Sequence, residues 1–369
     1  MHILTVNTGS SSVRLVAFEH TDRGEVKVLA SAHSSHNGSD PQTVLRDFSQ
    51  AHGLLKVSLV AHRIVHGGEK FKAPILINEK VENEIERLAP LAPLHNPIAL
   101  RWIRAAKEIW GEIVPQIGVF DTAFYVDLPE VARTYALAHT LVKKHGLRRY
   151  GFHGIAHQAM WQRWCKLQPE AVASGRVISF QLGAGCSITA IDQGKPRDTS
   201  MGFSPLEGLV MATRSGDVDA GLLTYLQAHE ELSPEETNHL LNYESGLLGI
   251  SGISADMRQL LDSTDERARL AIKLYCYRAR KYLGAYLAVL GGADAIIFGG
   301  GVGENTPAIR AAILHGLAWS GIVLDEEMNL AAVGIESCVS AANSQIMVWV
   351  IPVDEAAILA QEALALIAR

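Results

Sequence analysis

The chain has 369 residues, 48% of them hydrophobic and 20% charged, with a formal net charge of −6 and a pI near 6.2. This composition is typical of a well-packed enzyme and excludes a disordered chain, and the length favours two domains. The acidic balance, without a dense run of lysine and arginine, argues against nucleic acid or an anionic membrane as a partner. Any anionic ligand must therefore be bound by a few individually placed cations.

The cysteines and the start of the chain indicate a compartment. The four cysteines are far apart, without a CxxC pair, which favours reduced thiols over a disulfide framework. The sequence begins directly with a predicted strand and shows no signal-peptide pattern, and its most apolar stretch, residues 285–302, is too interrupted to span a membrane. We therefore expect a cytoplasmic protein. The cysteines are Cys165, Cys186, Cys276 and Cys338.

Hydrophobic patterning in the first third of the chain predicts the order β-β-β-α-β-α-β. Residues 96–110 form the clearest helix, because Leu100, Ile103 and Ala106 recur at helical spacing. Residues 116–120 are a short apolar run ending at Asp121, as in a buried parallel strand. The other predicted strands are 2–6, 13–18, 25–30 and 57–64, with a helix at 41–52.

The pattern restarts at residue 176 with two strands joined by a glycine turn and a third strand after residue 194. A long helical insertion covers residues 217–290, followed by strand 295–298, a helix after Asn305, strand 345–351 and a final helix at 355–367. Alternating strands and helices with glycine-rich turns predict an α/β fold with sites at the carboxyl ends of strands. No linker separates the halves, so we expect them to pack around a cleft.

Two strand–turn–strand segments with small residues at the tip lie about half the chain apart. The first tip contains Gly9 to Ser12, and the second contains Gly183, Ala184 and Gly185. Small residues let backbone N–H groups and hydroxyls converge on an anion. One such tip is most simply an ordinary hairpin turn. Its repetition favours a duplicated fold that binds a polyphosphate from two sides.

A third glycine-rich element runs from Gly299 to Asn305, between a strand and a helix that has Pro307 in its first turn. This arrangement binds phosphate or allows a nucleotide to lie against the backbone. It is not a Walker A loop, because no Gly-Lys-Ser/Thr follows. A purely structural turn is the alternative, although three consecutive glycines exceed what a turn needs.

Four cations lie on short loops rich in glycine or other small residues: Arg63, His95, His153 and Arg214. Each one alone is most simply a surface arginine or a hydrogen-bonded histidine. As a set they indicate function, because binding and catalytic residues concentrate on such loops.

Two carboxylates follow predicted strands. Asp121 would be costly to bury without a partner, and it either has one or hydrogen-bonds the amides of the next turn. Glu355, after Asp354, is either a magnesium ligand or part of the first turn of the last helix.

These segments, in this order, resemble the acetate kinase family within the sugar kinase–Hsp70–actin superfamily. The most distinctive run is Asp198-Thr-Ser-Met-Gly-Phe-Ser-Pro-Leu-Glu-Gly208, and the matching motifs span nearly the whole chain. They lie at residues 7–14, 62–68, 92–97, 119–124, 148–157, 198–219, 251–258, 299–305 and 351–355.

The resemblance implies two βββαβαβα domains of the actin-like ATPase and ribonuclease H-like type, with an active-site cleft between them. It implies a homodimer and reversible phosphoryl transfer between ATP and acetate or propionate, with Mg²⁺, for which Mn²⁺ can substitute. The last helix is implied to return to the first domain. We therefore expect a first domain at residues 1–120 plus 357–369 and a nucleotide-binding domain at 121–356.

The resemblance also assigns roles to individual residues. Asp121, His153, Arg214 and Arg63 are implied to be catalytic, and Asn7 and Glu355 to support the metal. The implied carboxylate-binding residues are Arg63, Val65, Leu94, His95, Phe152 and Pro205. The implied nucleotide- and phosphate-binding residues are Ser10, Ser12, Arg14, Gln181, Leu182, Gly183, Ala184, Gly185, Asp256, Met257, Arg258, Gly301, Val302, Gly303, Glu304 and Asn305.

The chain departs from the family pattern at three places. Arg14 stands where lysine is usual, the second phosphate turn reads Gln-Leu-Gly-Ala-Gly instead of His-Leu-Gly-Asn-Gly, and Tyr125 replaces a common histidine. The preferred phosphate donor is therefore less defined by the sequence than the acyl chemistry.

Two other functions are compatible with parts of the pattern. A kinase for a small alcohol would use Asp121 as a general base, but it would need polar groups in the acceptor pocket. A nucleotide-binding module without catalysis would not require the set of arginines, histidine and carboxylates together. Substrate screening and nucleotide-binding measurements distinguish these possibilities.

Overall fold

A computed structural model describes residues 1–9, 12–21, 25–35, 40–54, 56–170 and 175–368. The chain divides into two compact units. The first unit comprises Met1–Val126, Phe152–Ala159 and Asp354–Arg369, and the second comprises Asp127–Gly151 and Met160–Val353.

The first unit contains a six-stranded mixed sheet with strand order β3-β2-β1-β4-β6-β5. β1, β2 and β3 are antiparallel, β4 and β6 run parallel to β1, and β5 is an antiparallel edge strand. Helices α1 and α3 pack against each other. The elements are β1 His2–Thr8, β2 Ser12–His20, β3 Val26–Ser35, α1 Pro41–Ala51, β4 Leu59–Ile64, β5 Ile75–Leu76, α2 Glu79–Arg87, α3 Asn96–Trp110 and β6 Gln116–Phe120.

The second unit repeats this sheet with strand order β9-β8-β7-β10-β12-β11. Again the first three strands are antiparallel, the next two run parallel to the first, and a short antiparallel strand lies at the edge. Its elements, which include the first-unit start of α6, are α4 Glu130–Arg133, α5 His139–His145, α6 Gly154–Leu167, β7 Arg176–Leu182, β8 Cys186–Asp192, β9 Lys195–Thr199, α7 Ala220–His229, α8 Pro234–Tyr243, α9 Gly246–Ser251, α10 Met257–Asp262, α11 Glu266–Leu290, β10 Ala295–Gly299, α12 Gly300–Asn305, α13 Pro307–Leu314, α14 Glu326–Ala331, β11 Ser337–Cys338 and β12 Met347–Val350.

The last helix, α15 Glu355–Ile367, belongs to the first unit and packs against β1, β4 and β6. Asp354 caps it by accepting a hydrogen bond from the N–H of Ala357 at 3.0 Å. Ile358, Leu359 and Ala363 are buried, so the helix covers one face of the first sheet.

Local sequence explains why the central elements form. α3 begins with Pro97 in its first turn and ends before Gly111, which has a φ of 74°. Its buried residues include Leu100, Ile103 and Ala106, the apolar stripe that the spacing predicts. In the second sheet, Phe180 and Phe298 are paired on neighbouring parallel strands and stack with centroids 4.9 Å apart. Such burial supplies most of the stabilisation of each sheet.

The duplicated α/β fold predicted from the sequence is confirmed, including α3, β6 and α15 at the expected bounds. Several features differ from the prediction, and helices α2, α4, α5 and α6 were not predicted. The short edge strands β5 and β11 were not predicted, because two residues carry no periodic signal. The triple-glycine segment forms helix α12 instead of a turn. The helix begins at Gly300, which has a φ of 77°. Glycine is required there because a Cβ would lie 2.7 Å from the carbonyl oxygen of Leu182.

The sequence-based domain boundaries and the structural units differ in three segments. Residues 121–126, 152–159 and 354–356 cluster with the first unit, whereas the sequence assigned them to the second domain. All four cysteines are free; Cys186 and Cys276 are buried and the other two are partly exposed. None of the helices in the described part of the chain has the length and hydrophobicity needed to cross a membrane.

Three histidines of the first unit, His62, His66 and His157, are buried. Burial lowers the pKa of His62 to about 4, although its hydrogen bond with the Gln116 side chain, at 2.7 Å, opposes the shift. Burial likewise lowers the pKa of His66 to about 4 and that of His157 to about 3. All three are therefore neutral in the folded protein near pH 7.

We predict that the free energy of unfolding falls as the pH is lowered from about 6.5 to about 4. In this window the unfolded chain binds protons at these histidines and the folded chain does not. The His62→Gln variant should lose less stability over the same interval than the wild type. Urea denaturation at a series of pH values measures the difference; equal pH dependence of the two proteins would contradict the assignment of a neutral His62.

Candidate active site

Three neighbouring parallel strands of the first sheet end in polar side chains. Asn7 lies near the end of β1, Arg63 near the end of β4, and Asp121 directly after β6. Glu355, the first residue of α15, joins them. Because carboxyl ends of parallel strands meet at one edge, residues distant in sequence are brought together there, as predicted for α/β proteins.

Arg63 and Asp121 form a buried ion pair. Nε of Arg63 donates to both carboxylate oxygens of Asp121 at 3.2 Å, and Nη2 donates to Oδ2 at 2.7 Å. The side chains are 12% and 0% exposed. Burial raises the pKa of Asp121, and the charge of Arg63 opposes that shift. Burial would lower the pKa of Arg63, but the carboxylates of Asp121 and Glu355 outweigh it and raise the pKa. The guanidinium is therefore charged and fixed in orientation.

Asn7 connects the ion pair to Glu355. Its Nδ2 donates to Glu355 Oε2 at 2.6 Å, and its Oδ1 accepts from Arg63 Nη1 at 3.1 Å. Arg63 Nη1 lies 3.7 Å from Glu355 Oε2. One arginine thus faces two carboxylates, which leaves a local negative charge that a cation would balance.

The fit to Mg²⁺ can be tested on this donor set. Mg²⁺ prefers oxygen ligands and typically takes one or two carboxylates together with waters and substrate phosphates. The carboxylate of Glu355 and the amide oxygen of Asn7 match that preference. Across the described ranges there is no group of three or more His, Cys, Asp or Glu residues that could hold a metal alone. A bound Mg²⁺ would therefore need further oxygen ligands from water or substrate.

The first hairpin tip is only partly described. Arg14 lies directly opposite Asn7 in the antiparallel β1–β2 pair and is exposed, so it shares a sheet face with Asn7. Ser12 begins β2, and Gly9 N–H donates to its carbonyl oxygen at 2.8 Å. Ser10 lies outside the described residues.

His153 is held next to Asp121 by the start of α6. The carboxylate of Asp121 accepts a hydrogen bond from the backbone N–H of Ile155. A Cβ at Gly154 would lie 1.9 Å from the carbonyl oxygen of Asp121, so only glycine allows this approach. His153 itself has a φ of 56°, which is unfavourable for a residue with a side chain. Such strain persists only where the surroundings determine it, and it is common at functional sites.

Of the predicted apolar acceptor residues, Val65, Leu94 and Phe152 belong to this unit, whereas Pro205 belongs to the second unit. Val65 and Phe152 are buried, and the ring of Phe152 packs edge-on against His66 at a centroid distance of 5.5 Å. Asn96, which the sequence analysis did not single out, is fully buried and forms two hydrogen bonds with the backbone of His66, at 3.0 and 3.1 Å. These two hydrogen bonds join the segment that carries Val65 to the turn that contains Leu94 and His95.

A cavity of about 590 Å³ opens in the second unit. The tip of the second hairpin, the start of α10 and the start of α12 contribute to it, with Tyr275 of α11. Eight of the predicted nucleotide-binding residues line it: Gly183, Ala184, Asp256, Met257, Arg258, Gly301, Val302 and Asn305. Its volume lies within the range of small-molecule sites.

The other predicted nucleotide-binding residues of this unit have positions that support the cavity. Leu182 is fully buried in the core, and Gln181 pairs with Gly299 and Ser187 in the sheet. Glu304 accepts hydrogen bonds from the N–H groups of Gly300 and Val353, at 2.8 and 3.0 Å. Gly185 accepts from the N–H of Gly183 at 3.0 Å, and Gly303 is buried in α12.

Asp256 and Arg258, both at the cavity, bind each other. Arg258 Nη2 lies 2.6 Å from Asp256 Oδ2, and the Asp256 carboxylate also caps α10 through the N–H of Arg258. The Arg258 side chain is largely exposed. Such an exposed pair contributes little stability, so Arg258 can exchange its partner at low cost.

Arg214 is a largely buried cation in the second unit. Its Nη1 donates to the carbonyl oxygen of Pro205 at 3.1 Å and lies 3.8 Å from the sulfur of Met211. Burial lowers its pKa. Within the described ranges no carboxylate lies at ion-pair distance from it, which is unusual for a desolvated guanidinium and indicates an anionic ligand.

Comparison with known proteins agrees with the fold. A crystal structure of *Porphyromonas gingivalis* acetate kinase superposes with a TM-score of 0.88 at 36% identity, covering 99% of both chains. A propionate kinase from *Francisella tularensis* gives 0.89 at 35% identity, again over 99% of both. The acetate kinase of *Phocaeicola vulgatus* is 40% identical over the full length of both chains, and that of *Solibacter usitatus* is 46% identical over 85% of this chain and 77% of its own.

The fold is therefore that of a class of two-unit α/β kinases. A family model described as the Acetokinase family matches residues 41–361. The chain belongs to the acetokinase family.

We predict that Gly154→Ala lowers the free energy of unfolding by about 1–3 kcal/mol, because the added methyl group must displace the Asp121 backbone. As a matched control, Gly284→Ala on the exposed face of α11 meets no atom within 4 Å and should stabilise by about 0.5–1 kcal/mol. Urea denaturation measures both. A Gly154→Ala protein as stable as the wild type would show that the close approach at Asp121 is not required.

Proposed function

We propose that the protein is an acetate kinase: it reversibly transfers the γ-phosphoryl group of ATP to acetate, or to another short-chain carboxylate such as propionate, giving an acyl phosphate and ADP. Transfer is direct and in line, and it depends on Mg²⁺, for which Mn²⁺ can substitute. The observation that carries this proposal is Arg214, a desolvated cation without a carboxylate partner in the described chain, in a member of the acetokinase family.

The chemistry of the acceptor explains why cations dominate the candidate site. Carboxylic acids of this kind have pKa values of about 4 to 5, so acetate is already ionised near neutral pH and needs no general base. The obstacle is the approach of one anion to another. Preorganised positive groups offset that repulsion and stabilise the charge of the transferring phosphoryl group.

Arg63 and Arg214 serve this role in different ways. Arg63 uses Nε, one N–H of Nη1 and one N–H of Nη2 on Asp121 and Asn7, which leaves one N–H on each terminal nitrogen for the substrate carboxylate. Arg214 has more of its donors available for the transferring phosphoryl group. His153, held in a strained conformation beside the Asp121 backbone, adds a further donor.

Asp121 acts here as the residue that orients Arg63. Both of its carboxylate oxygens accept from Arg63, and the carboxylate also accepts from Ile155 N–H. A general base for an alcohol substrate would need a free oxygen facing the acceptor. The geometry therefore favours carboxylate phosphorylation over alcohol phosphorylation.

The residues implied by the family resemblance also suggest where the acceptor and the donor bind. Val65, Leu94, His95 and Phe152 of the first unit are proposed to contact the short acyl chain. The cavity lined by Gly183, Asp256 and Gly301 is proposed to bind the nucleoside of ATP. Arg14 and Ser12, with Ser10 of the same turn, are proposed to contact phosphate.

Asn7 and Glu355 would hold Mg²⁺ through their side-chain oxygens, which requires Asn7 to release its hydrogen bond to one partner. When bound, the metal supplies positive charge to the phosphate oxygens. Asp121 and Glu355 then no longer leave excess negative charge beside an anionic substrate.

We further propose a homodimer and a cytoplasmic location. Several large apolar side chains of α7 and α11 in the second unit are exposed, which suits a protein interface. They are Leu222, Tyr225, Leu270 and Tyr277.

A matrix of donors and acceptors on purified protein tests the activity. ATP, GTP and pyrophosphate are each combined with acetate, propionate, butyrate and glycerol. Acyl phosphate is trapped with hydroxylamine, and release of the matching product of each donor, which is ADP, GDP or inorganic phosphate, is followed in parallel. We expect turnover with ATP and acetate or propionate, and its loss on chelation of Mg²⁺. Absence of turnover with every carboxylate would refute the proposal; ADP release with glycerol alone would favour an alcohol kinase, and ATP binding without turnover a binding module.

We predict that Arg214→Ala lowers kcat on the order of 10²-fold or more, as expected for loss of a preorganised charge contact. The nucleotide affinity should change little. Exposed Arg269→Ala serves as the control and should match the wild type in steady-state kinetics. An Arg214→Ala enzyme within a few fold of wild-type kcat would exclude Arg214 from the reaction.

A further inference from the structure

Tyr135, Arg149 and Glu207 form a hydrogen-bonded cluster in the second unit. Arg149 Nη2 lies 2.5 Å from Glu207 Oε1, and the Tyr135 hydroxyl donates to Glu207 Oε2. The same hydroxyl accepts from the N–H of Phe203 at 2.8 Å. The Arg149 and Glu207 side chains are 17% and 30% exposed, so these bonds are largely shielded from solvent. We refer to the three residues as the Tyr135–Arg149–Glu207 cluster.

The remaining donors of Arg149 bind backbone carbonyls. Nη1 donates to Thr199 and Ser200 at 3.1 and 3.2 Å, and Nε donates to Ala132 at 3.2 Å. Arg149 is therefore committed to the protein and is not a free anion-binding cation. Its role is to fix the segment after β9.

The segment after β9 packs directly against the cluster. A Cβ at Gly202 would lie 1.6 Å from Glu207 Oε2, so the chain passes directly against the carboxylate. The carbonyl oxygen of Gly202 accepts from the N–H groups of Tyr150 and Gly151, at 2.9 and 3.4 Å. These bonds hold the segment from both sides.

In the sequence, Pro205 lies between Phe203, whose N–H binds the Tyr135 hydroxyl, and Glu207 of the cluster. The carbonyl oxygen of Pro205 is the hydrogen-bond acceptor for Nη1 of Arg214. The direction in which the Arg214 guanidinium points therefore depends on a backbone oxygen whose position the cluster fixes. Besides Pro205, the residues Gly202, Phe203 and Glu207 of the 198–208 motif thus take part in these contacts.

We propose that the Tyr135–Arg149–Glu207 cluster is a positioning device that sets the orientation of Arg214 for phosphoryl transfer. The inference rests on the proposed function of Arg214. A misplacement of about 1 Å can cost on the order of 10²-fold in rate, so hydrogen bonds remote from the reacting atoms can control kcat. Because Arg149 also precedes Phe152 and His153 in the chain, the cluster anchors the start of that segment as well.

Three conservative variants test the cluster: Glu207→Gln, Tyr135→Phe and Arg149→Lys. Glu207→Gln removes a charge at nearly constant size, Tyr135→Phe removes one hydroxyl, and Arg149→Lys keeps the charge but removes the planar fork of donors. We expect kcat with ATP and acetate to fall about 10- to 100-fold in Glu207→Gln and less in Tyr135→Phe, with KM for ATP within about twofold of wild type. The control Asp294→Asn alters a partly exposed arginine–aspartate pair at the amino ends of β7 and β10 and should leave kcat unchanged.

A double-mutant cycle with Arg214→Ala separates positioning from general stability. If the cluster acts through Arg214, adding Glu207→Gln to Arg214→Ala should lower kcat by less than about threefold. A loss as large as in the wild-type background would overturn the proposal, as would a folded Glu207→Gln enzyme with kcat within twofold of wild type. Should Glu207→Gln not fold, the same two criteria apply to Tyr135→Phe. Wild-type and Asp294→Asn turnover establishes the activity independently, so failure of the proposed function is recognised separately.

Discussion

The buried ion pair between Arg63 and Asp121 is the interaction on which the first unit's candidate site depends. Removing two charges from water is costly, and such a pair is rarely retained for stability alone. Here its geometry links elements far apart in the sequence: β4, the turn after β6, the start of α6 through Ile155, and α15 through Glu355. Hydrogen bonds and ion pairs around this pair thus join the ends of β1, β4 and β6 to the starts of α6 and α15.

The two units each contain a sheet of the same topology, but different residues lie at the strand ends. At the ends of the parallel strands, the first sheet presents Asn7 and Arg63, whereas the second presents Gln181 and Gly299. Charged side chains fill the edge in the first unit. In the second, the glycines of α12 and the small residues of the hairpin tip leave a cavity open. The same strand topology therefore carries charged side chains at the strand ends of the first unit and small residues beside a cavity in the second.

The sequence predicted those helices whose apolar periodicity and terminal residues define them locally. α3 and α15 have apolar stripes, start signals and clear ends, and their bounds were predicted correctly. Arg63 and Asp121 were identified as candidates, but not their pairing, because 58 residues separate them. Asn96, Tyr135 and Glu207 carry no local pattern, since their importance comes from hydrogen bonds made across the fold. Helix α12 was missed because glycines favour a turn unless tertiary contacts determine the conformation.

A chain with a net charge of −6 must bind anions with few cations, and the two arginines proposed to act in catalysis differ in how their charge is balanced. Arg63 faces two carboxylates, so most of its attraction for a further anion is cancelled, while its orientation is fixed. Among the described residues, the guanidinium of Arg214 donates to the carbonyl oxygen of Pro205 and contacts the sulfur of Met211, and no carboxylate lies at ion-pair distance. Its charge therefore remains available, while its orientation needs support from elsewhere. Under the proposed function, attraction and accurate placement are demands met by different residues. Arg63 would provide a fixed recognition fork, and Arg214 would provide uncompensated charge positioned by a backbone oxygen. The proposed role of the Tyr135–Arg149–Glu207 cluster follows from this, because a guanidinium without a carboxylate partner needs another group to fix its orientation.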